Sequence, residues 1–233
     1  VTKRKQKKRK KRAVLGIEYL RAIRAAGREN PRDHAVVEFV FTNAQRASEP
    51  GLTRLDDLDL HNGTVSLTHL KGGLEPEPMP LSRTCLDALK TWLPLRIFKD
   101  EAQRAYVFPS ANPTTCYPCK GTRTVTQKSR RKDGSARVIP CPHCHAMGTR
   151  WGMSRHEMRH IIVAVFKRAG IPPEFHFPHV LRHSAVTHML NTGLLPPEIQ
   201  ERVGHKDLAT TFGYMHATEA ARAKVNKAFD EDE

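Results

Sequence analysis

Four cysteines constrain one stretch of this 233-residue chain more tightly than any other residues do: Cys116-x-x-Cys119 and Cys141-x-x-Cys144, with 21 residues between the pairs. A Cys-x-x-Cys turn presents two thiolates on one side, so two such turns can close around one tetrahedral ion. The intervening residues suit that closure. Lys120-Gly121 gives the first pair its tight turn, Pro142 sits within the second, and Thr122 to Thr126 and Ala136 to Ile139 read as two short strands around Lys132-Asp133-Gly134. The expectation is a zinc-ribbon-like unit in which Cys116, Cys119, Cys141 and Cys144 hold a structural Zn²⁺, with His143 and His145 as substitute ligands. Two chance pairs, as free thiols or a redox couple, are the alternative. Cys85 falls in an apolar pattern with Leu81, Leu86 and Leu89 and reads as a small buried residue.

Residues 111–150 are too polar and too rich in Gly and Pro to fold without the metal, so zinc would supply the missing stability. Cysteines arranged for a metal, with no spread of disulfide pairs, point to a reducing cytoplasm. The apolar fraction of 39% is ordinary for one good core, and no segment reads as a signal peptide or a membrane span. The net charge of +15 is uneven. Nine of the 39 Lys and Arg lie in residues 1–12 with no acid among them, so the remaining 30 stand against 24 acids, a surplus of +6. Such a basic arm reads as disordered and binds phosphate without reading sequence.

A second pattern carries chemistry. His179-x-x-Arg182-His183 lies in an apolar run (Val180, Leu181, Ala185, Val186, Met189, Leu190) read as an amphipathic helix, on which His179 and Arg182 share one face. His205 of Gly204-His205 follows 23 residues later, and Tyr214 nine after that. One anion could meet the histidine and the arginine together. His183, His188 and His216 read as packing residues. Taken singly, each of these residues has a structural reading; the order and spacing give the set its weight.

This order and spacing resembles the tyrosine recombinase (phage integrase) family. The resemblance implies an upstream arginine at a helix end before an acid and a Leu-containing turn, which Arg46 in Gln45-Arg46-Ala47-Ser48-Glu49-Pro50-Gly51-Leu52 fits. It also implies a hairpin lysine, which Lys71 fits between strand-like Thr64 to Thr68 and Glu77 to Leu81. Two departures are mild: Ala44-Gln45 replaces a glycine-containing approach, and Val203 stands where leucine is common. In the family a tyrosine hydroxyl attacks a DNA phosphate to give a 3′-phosphotyrosyl link. By resemblance that role falls to Tyr214, with Arg46, Lys71, His179, Arg182 and His205 around the phosphate and Glu49 steadying an arginine and a histidine. No metal or ATP is implied for the chemistry.

The residue types make physical sense. Guanidiniums that stay charged at any working pH can hold the non-bridging oxygens as charge grows on them. A lysine crowded by two arginines has a lowered pKa and suits the donation of a proton to the departing 5′ oxygen. His179 and His205 are placed to hydrogen-bond phosphate oxygens and assist the tyrosine proton.

The expected architecture is mostly α with a small β-hairpin or sheet (α+β): the family's catalytic-domain fold over residues 13–233, interrupted by the insert at 111–150, where relatives have only a short link. Helices are expected near 13–26, 32–44, 82–93, 154–169, 178–192, 196–203 and 217–229. With the first arginine at 46, the chain has no room for the helical DNA-clamping domain that usually precedes this one. Implied partners are double-stranded DNA, a tetramer of the chain on DNA, and accessory DNA-bending proteins. A type IB topoisomerase and a zinc-ribbon DNA-binding regulator without catalysis are the competing readings.

Overall fold

The computed structural model describes residues 13–68, 77–116, 119–128, 136–141, 144, 147–204, 207–208 and 210–211. Its hub is helix α2 (Pro31–Thr42), which has no solvent face: Ala35, Val36, Val37, Phe39, Val40 and Phe41 are all buried. A helix with apolar residues on most of its sides sits inside. It starts where Asn30 accepts from the backbone N–H groups of Arg32 and Asp33, with Pro31 preset for the first turn. Around it pack α1 (Ile17–Gly27), α3 (Arg83–Trp92), α4 (Arg155–Arg168) and α5 (His179–Asn191), while α6 (Pro196–Val203) leans on α5. Phe39 meets Phe108 edge-on at 5.5 Å in the middle of this core.

Two carboxylates on α2 are buried and paired. Glu38 accepts from Nε and a terminal nitrogen of Arg24 at 2.6 Å each, and from Thr84 at 3.0 Å, which joins α1 and α3 to the hub. Asp33 takes Arg168 of α4 at 2.7 Å. Buried charges in such numbers are tolerated only because each has partners.

Three short antiparallel strands, β1 (Leu58–Asp59), β2 (Thr64–Ser66) and β3 (Pro78–Pro80), run in the order β1-β2-β3, with Val65 opposite Met79. The hairpin arms lie where the sequence places them; β1 was not foreseen, because two residues carry no periodicity. The expected tip, with Lys71, lies outside the described residues, as do the arm at 1–12 and the expected helix at 217–229.

Strand β4 (Pro109–Thr115) pairs antiparallel with β7 (Thr149–Gly152), and between them β5 (Thr124–Lys128) pairs with β6 (Ala136–Pro140). The first ribbon strand starts two residues later than the Thr122 expected. Thr122 is spent on the cysteine turn, where its N–H and hydroxyl both donate to the Cys119 carbonyl (2.8 and 2.6 Å), and Arg123 is left-handed at φ 69°.

The β4–β7 ladder comes closest to the rest of the fold where two backbones meet. A side chain on Gly51 would run into the carbonyl of Met153, and one on Gly152 into the carbonyl of Gly51 and the Tyr106 ring. Only glycines let the two backbones meet. Gly51→Ala is therefore expected to destabilise the fold by about 3 kcal/mol, through backbone displacement rather than lost contacts. Urea unfolding checks this; a midpoint equal to the parent's would contradict the packing.

Candidate active site

Arg46 reaches its place through an unusual turn. After α2 ends and Asn43 caps it, Ala44 turns left-handed at φ 47°, a conformation that costs a non-glycine residue about 1 kcal/mol. This is the segment where the sequence departs from a glycine-containing approach. The turn places the Ala44 carbonyl to accept from a terminal nitrogen of Arg182 at 2.5 Å. Three residues after Arg46, Glu49, 1% exposed, clamps it twice: one carboxylate oxygen accepts from the Arg46 backbone N–H at 2.8 Å, the other from its guanidinium at 2.7 Å.

Arg182 is 3% exposed, and its second terminal nitrogen donates to the Val203 carbonyl at 2.8 Å. It thus ties α5 to the end of α2 and the end of α6. The amphipathic expectation for α5 needs correction. Val180, Leu181, Arg182 and Ser184 to Thr187 are all buried, so the first half of the helix is enclosed on most sides. Ser184 explains part of this: its hydroxyl donates to the Val180 carbonyl and accepts from the Leu15 N–H, replacing solvent for both.

His179, at the start of α5, keeps an exposed edge. Its ring stacks on His183 at 6.1 Å, and it lines a cavity of about 180 Å³ with Arg46, Ala47, Ser48, Arg155, Arg159 and Pro178. Partial burial, then the charges of Arg182, Arg155 and Arg46, hold its imidazole below the ordinary 6.5, with Glu49 opposing. Arg155→Ala is expected to raise the NMR titration midpoint of His179 and Glu49→Gln to lower it. The sign for stability follows: the unfolded chain takes up this proton more readily, so this group weakens the fold as pH falls below about 6.5. A midpoint unmoved by both substitutions would contradict the geometry.

Arg46, Glu49, His179 and Arg182 are therefore within one neighbourhood. Lys71, His205 and Tyr214 lie outside the described residues; α6 ends at Gly204, left-handed at φ 61°, immediately before His205. The sequence reading passed over Arg155 and Arg159. Their spacing of four after the Ser154 cap was the available signal.

The four ribbon cysteines form a second centre. Their sulfurs all lie within 4.8 Å of one another, and every one is buried. Cys116 and Cys141 are 3.8 Å apart and Cys119 and Cys144 3.6 Å. That is far beyond a disulfide bond. Four thiolates at about 2.3 Å from one tetrahedral ion would stand about 3.8 Å apart, so the donor set fits a metal. Both turns are built for it: Gly148 donates to the Cys144 sulfur at 3.3 Å, and Cys116 donates to the Gly148 carbonyl at 2.9 Å. Burial pushes the Cys119 thiol up, but the N–H groups of Arg123 and Gly121 and the neighbouring Cys144 and Cys116 bring it down to about 7. Cys85 is buried outside this cluster, and burial pushes its thiol up to about 12.

No helix among the described residues is long and apolar enough to cross a membrane. Comparison with known proteins agrees with this architecture. The chain is 28% identical over 203 residues to tyrosine recombinase XerC of Bifidobacterium longum, covering 86% of this chain and 48% of that protein. Against tyrosine recombinase XerD of Listeria monocytogenes it is 29% identical over 198 residues, covering 85% and 54%. The chain thus spans about half the length of the curated relatives it matches. Among solved structures, XerA recombinase superposes with a TM-score of 0.67 at 20% identity, covering 97% of this chain and 66% of that one. XerH site-specific recombinase bound to its difH substrate gives 0.59 at 18%, covering 87% and 50%. These likenesses show the tyrosine recombinase catalytic-domain fold, here carrying a cysteine cluster. Residues 16–221 match the phage integrase family, and the chain belongs to that family.

Proposed function

We propose that this chain is the catalytic part of a site-specific DNA recombinase that cuts double-stranded DNA through a 3′-phosphotyrosine formed by Tyr214. The observation that carries the reading is the cavity lined by Arg46 and His179, with Arg46 clamped by the buried Glu49 and the charge of the buried Arg182 close enough to act on His179. Oriented guanidiniums of this kind stabilise the negative charge that develops as a hydroxyl attacks a phosphodiester.

In this reading Arg46 and Arg182 hold the non-bridging oxygens. Lys71 gives a proton to the departing 5′ oxygen, and His179 and His205 bond phosphate oxygens and assist deprotonation of Tyr214. His179, held below its ordinary pKa, serves as a neutral acceptor at neutral pH. The covalent link keeps the energy of the broken phosphodiester, so a second 5′ hydroxyl reverses the step without ATP, and the chemistry calls on side chains alone. Residues 13–233 form the catalytic domain, interrupted at 111–150 by a ribbon whose four cysteines hold structural Zn²⁺, and residues 1–12 add unspecific phosphate affinity. Assembly is a tetramer on DNA. The names of the relatives support this: XerC and XerD are called tyrosine recombinases, and the XerH structure holds a substrate.

Supercoiled plasmids separate the readings. Recombination requires two matching sites and leaves defined products; relaxation of any plasmid would indicate topoisomerase action; binding without cutting would indicate a regulator and end the proposal.

A further inference from the structure

Arg155 and Arg159 stand one turn apart on α4 and face the cavity that Arg46 and His179 also line. Both are exposed, and among the described residues neither has a carboxylate within ion-pair distance. Other arginines of the chain are paired: Arg24 with Glu38, Arg32 and Arg168 with Asp33, Arg104 with Glu101. The acid on the first turn of α4, Glu157, is committed elsewhere. One oxygen accepts from the Ser154 N–H at 2.7 Å and the other from the Ser110 hydroxyl at 2.6 Å. Glu49 is likewise spent on Arg46. Among the described residues, therefore, Arg155 and Arg159 add positive charge at this mouth without a carboxylate of their own, a cost that an anionic ligand offsets.

One phosphodiester cannot use all of it. It has two non-bridging oxygens, and two arginines with a histidine already saturate them. We propose that Arg155 and Arg159 form a second anion seat, which holds the DNA backbone phosphate next to the one that is cut. This rests on the recombinase reading for its ligand. The seat fixes the strand on one side of the reacting phosphate, so that the attacked bond is presented in a set orientation, and it contributes affinity without reading base sequence.

The test uses the full chain, its Arg155→Gln/Arg159→Gln variant and an Arg155→Lys/Arg159→Lys variant, each with nicked duplex at several salt concentrations. Both residues are exposed and, among the described residues, without a carboxylate partner, so thermal unfolding of the variants should match the parent's. The expected result for the Gln pair is a plot of log affinity against log salt shallower by about 1–2, and affinity about tenfold weaker at moderate salt. The Lys pair should restore the slope, because the seat works through charge. A duplex in which neutral methylphosphonate replaces one flanking phosphate at a time locates the ligand. At one position the replacement should weaken the parent about tenfold and leave the Gln pair unchanged. A Gln pair with the parent's slope, and with the parent's sensitivity at every position, would overturn the seat. Covalent attachment by the parent is scored in the same reactions. Its absence would sink the recombinase reading, while the slopes would still decide whether these arginines hold phosphate.

Discussion

Arg182→Ala should lower the rate of covalent complex formation by about a thousandfold and also weaken the fold, a combination that a purely surface phosphate contact would not give. The catalytic loss follows from removing a charged planar donor at the reacting phosphate. The structural loss follows from burial: Arg182 is 3% exposed and donates to the carbonyls of Ala44 and Val203, at 2.5 and 2.8 Å. Both acceptors would lose their partner inside the protein, at a combined cost of about 3 kcal/mol. Ala44 supports the point from the other direction, since its left-handed turn is retained at a conformational cost and delivers that carbonyl to Arg182. Arg182→Lys keeps the charge yet cannot span two carbonyls with a planar fork, so it should recover less than a tenth of the lost rate. Single-turnover trapping and urea unfolding measure the two parts. A variant as fast and as stable as the parent would show that Arg182 does neither task.

The second large effect concerns the cysteine cluster. With zinc held by the cluster as proposed, Cys116→Ser should release it and unfold the ribbon while the helical core keeps its own cooperative transition. Structural zinc sites of this kind carry about 10–16 kcal/mol of folding free energy, so losing a ligand removes the module's stability outright. Among its described residues the ribbon has little else: the buried residues of its cluster are the four cysteines, with Val125 packed beside them. The helical core, by contrast, is a continuous apolar cluster running from Leu15 to Val203. Metal analysis and limited proteolysis of residues 111–150 report the local change, and circular dichroism reports the core. Global unfolding of the variant would show that the ribbon is not a separate unit. The close contact of Gly51 with Gly152 and Met153 is where any disturbance of the ribbon would reach the loop that carries Arg46 and Glu49.

Much of this architecture was legible from single residues. The helices expected near 32–44 and 154–169 start beside Asn30-Pro31 and Ser154, because caps act within one turn and leave a local trace. The cysteine spacing pointed to a cluster for a similar reason: a tetrahedral ion needs its ligands at fixed separations. What the sequence hid is long-range. Nothing local shows that α5 is enclosed, since that depends on Leu15 reaching Ser184 across 169 residues. Nor does the pairing of β4 with β7 have a periodic signal, because Pro109–Thr115 is polar and interrupted by proline. Arg155 and Arg159 were hidden for another reason. An arginine on a helix surface is ordinary, and only the fold shows that the neighbouring acids are already occupied.

Covalent trapping tests the central claim most directly. The parent and its Tyr214→Phe variant are mixed with a pool of nicked duplexes in Mg²⁺-free buffer, with zinc retention confirmed, and separated on a denaturing gel. The nick lets the cut fragment diffuse away, which prevents religation. A DNA-shifted band for the parent and none for Tyr214→Phe, with both still binding the pool, is the predicted result. A band of equal strength from Tyr214→Phe, or no band from a parent that binds the pool, would contradict it.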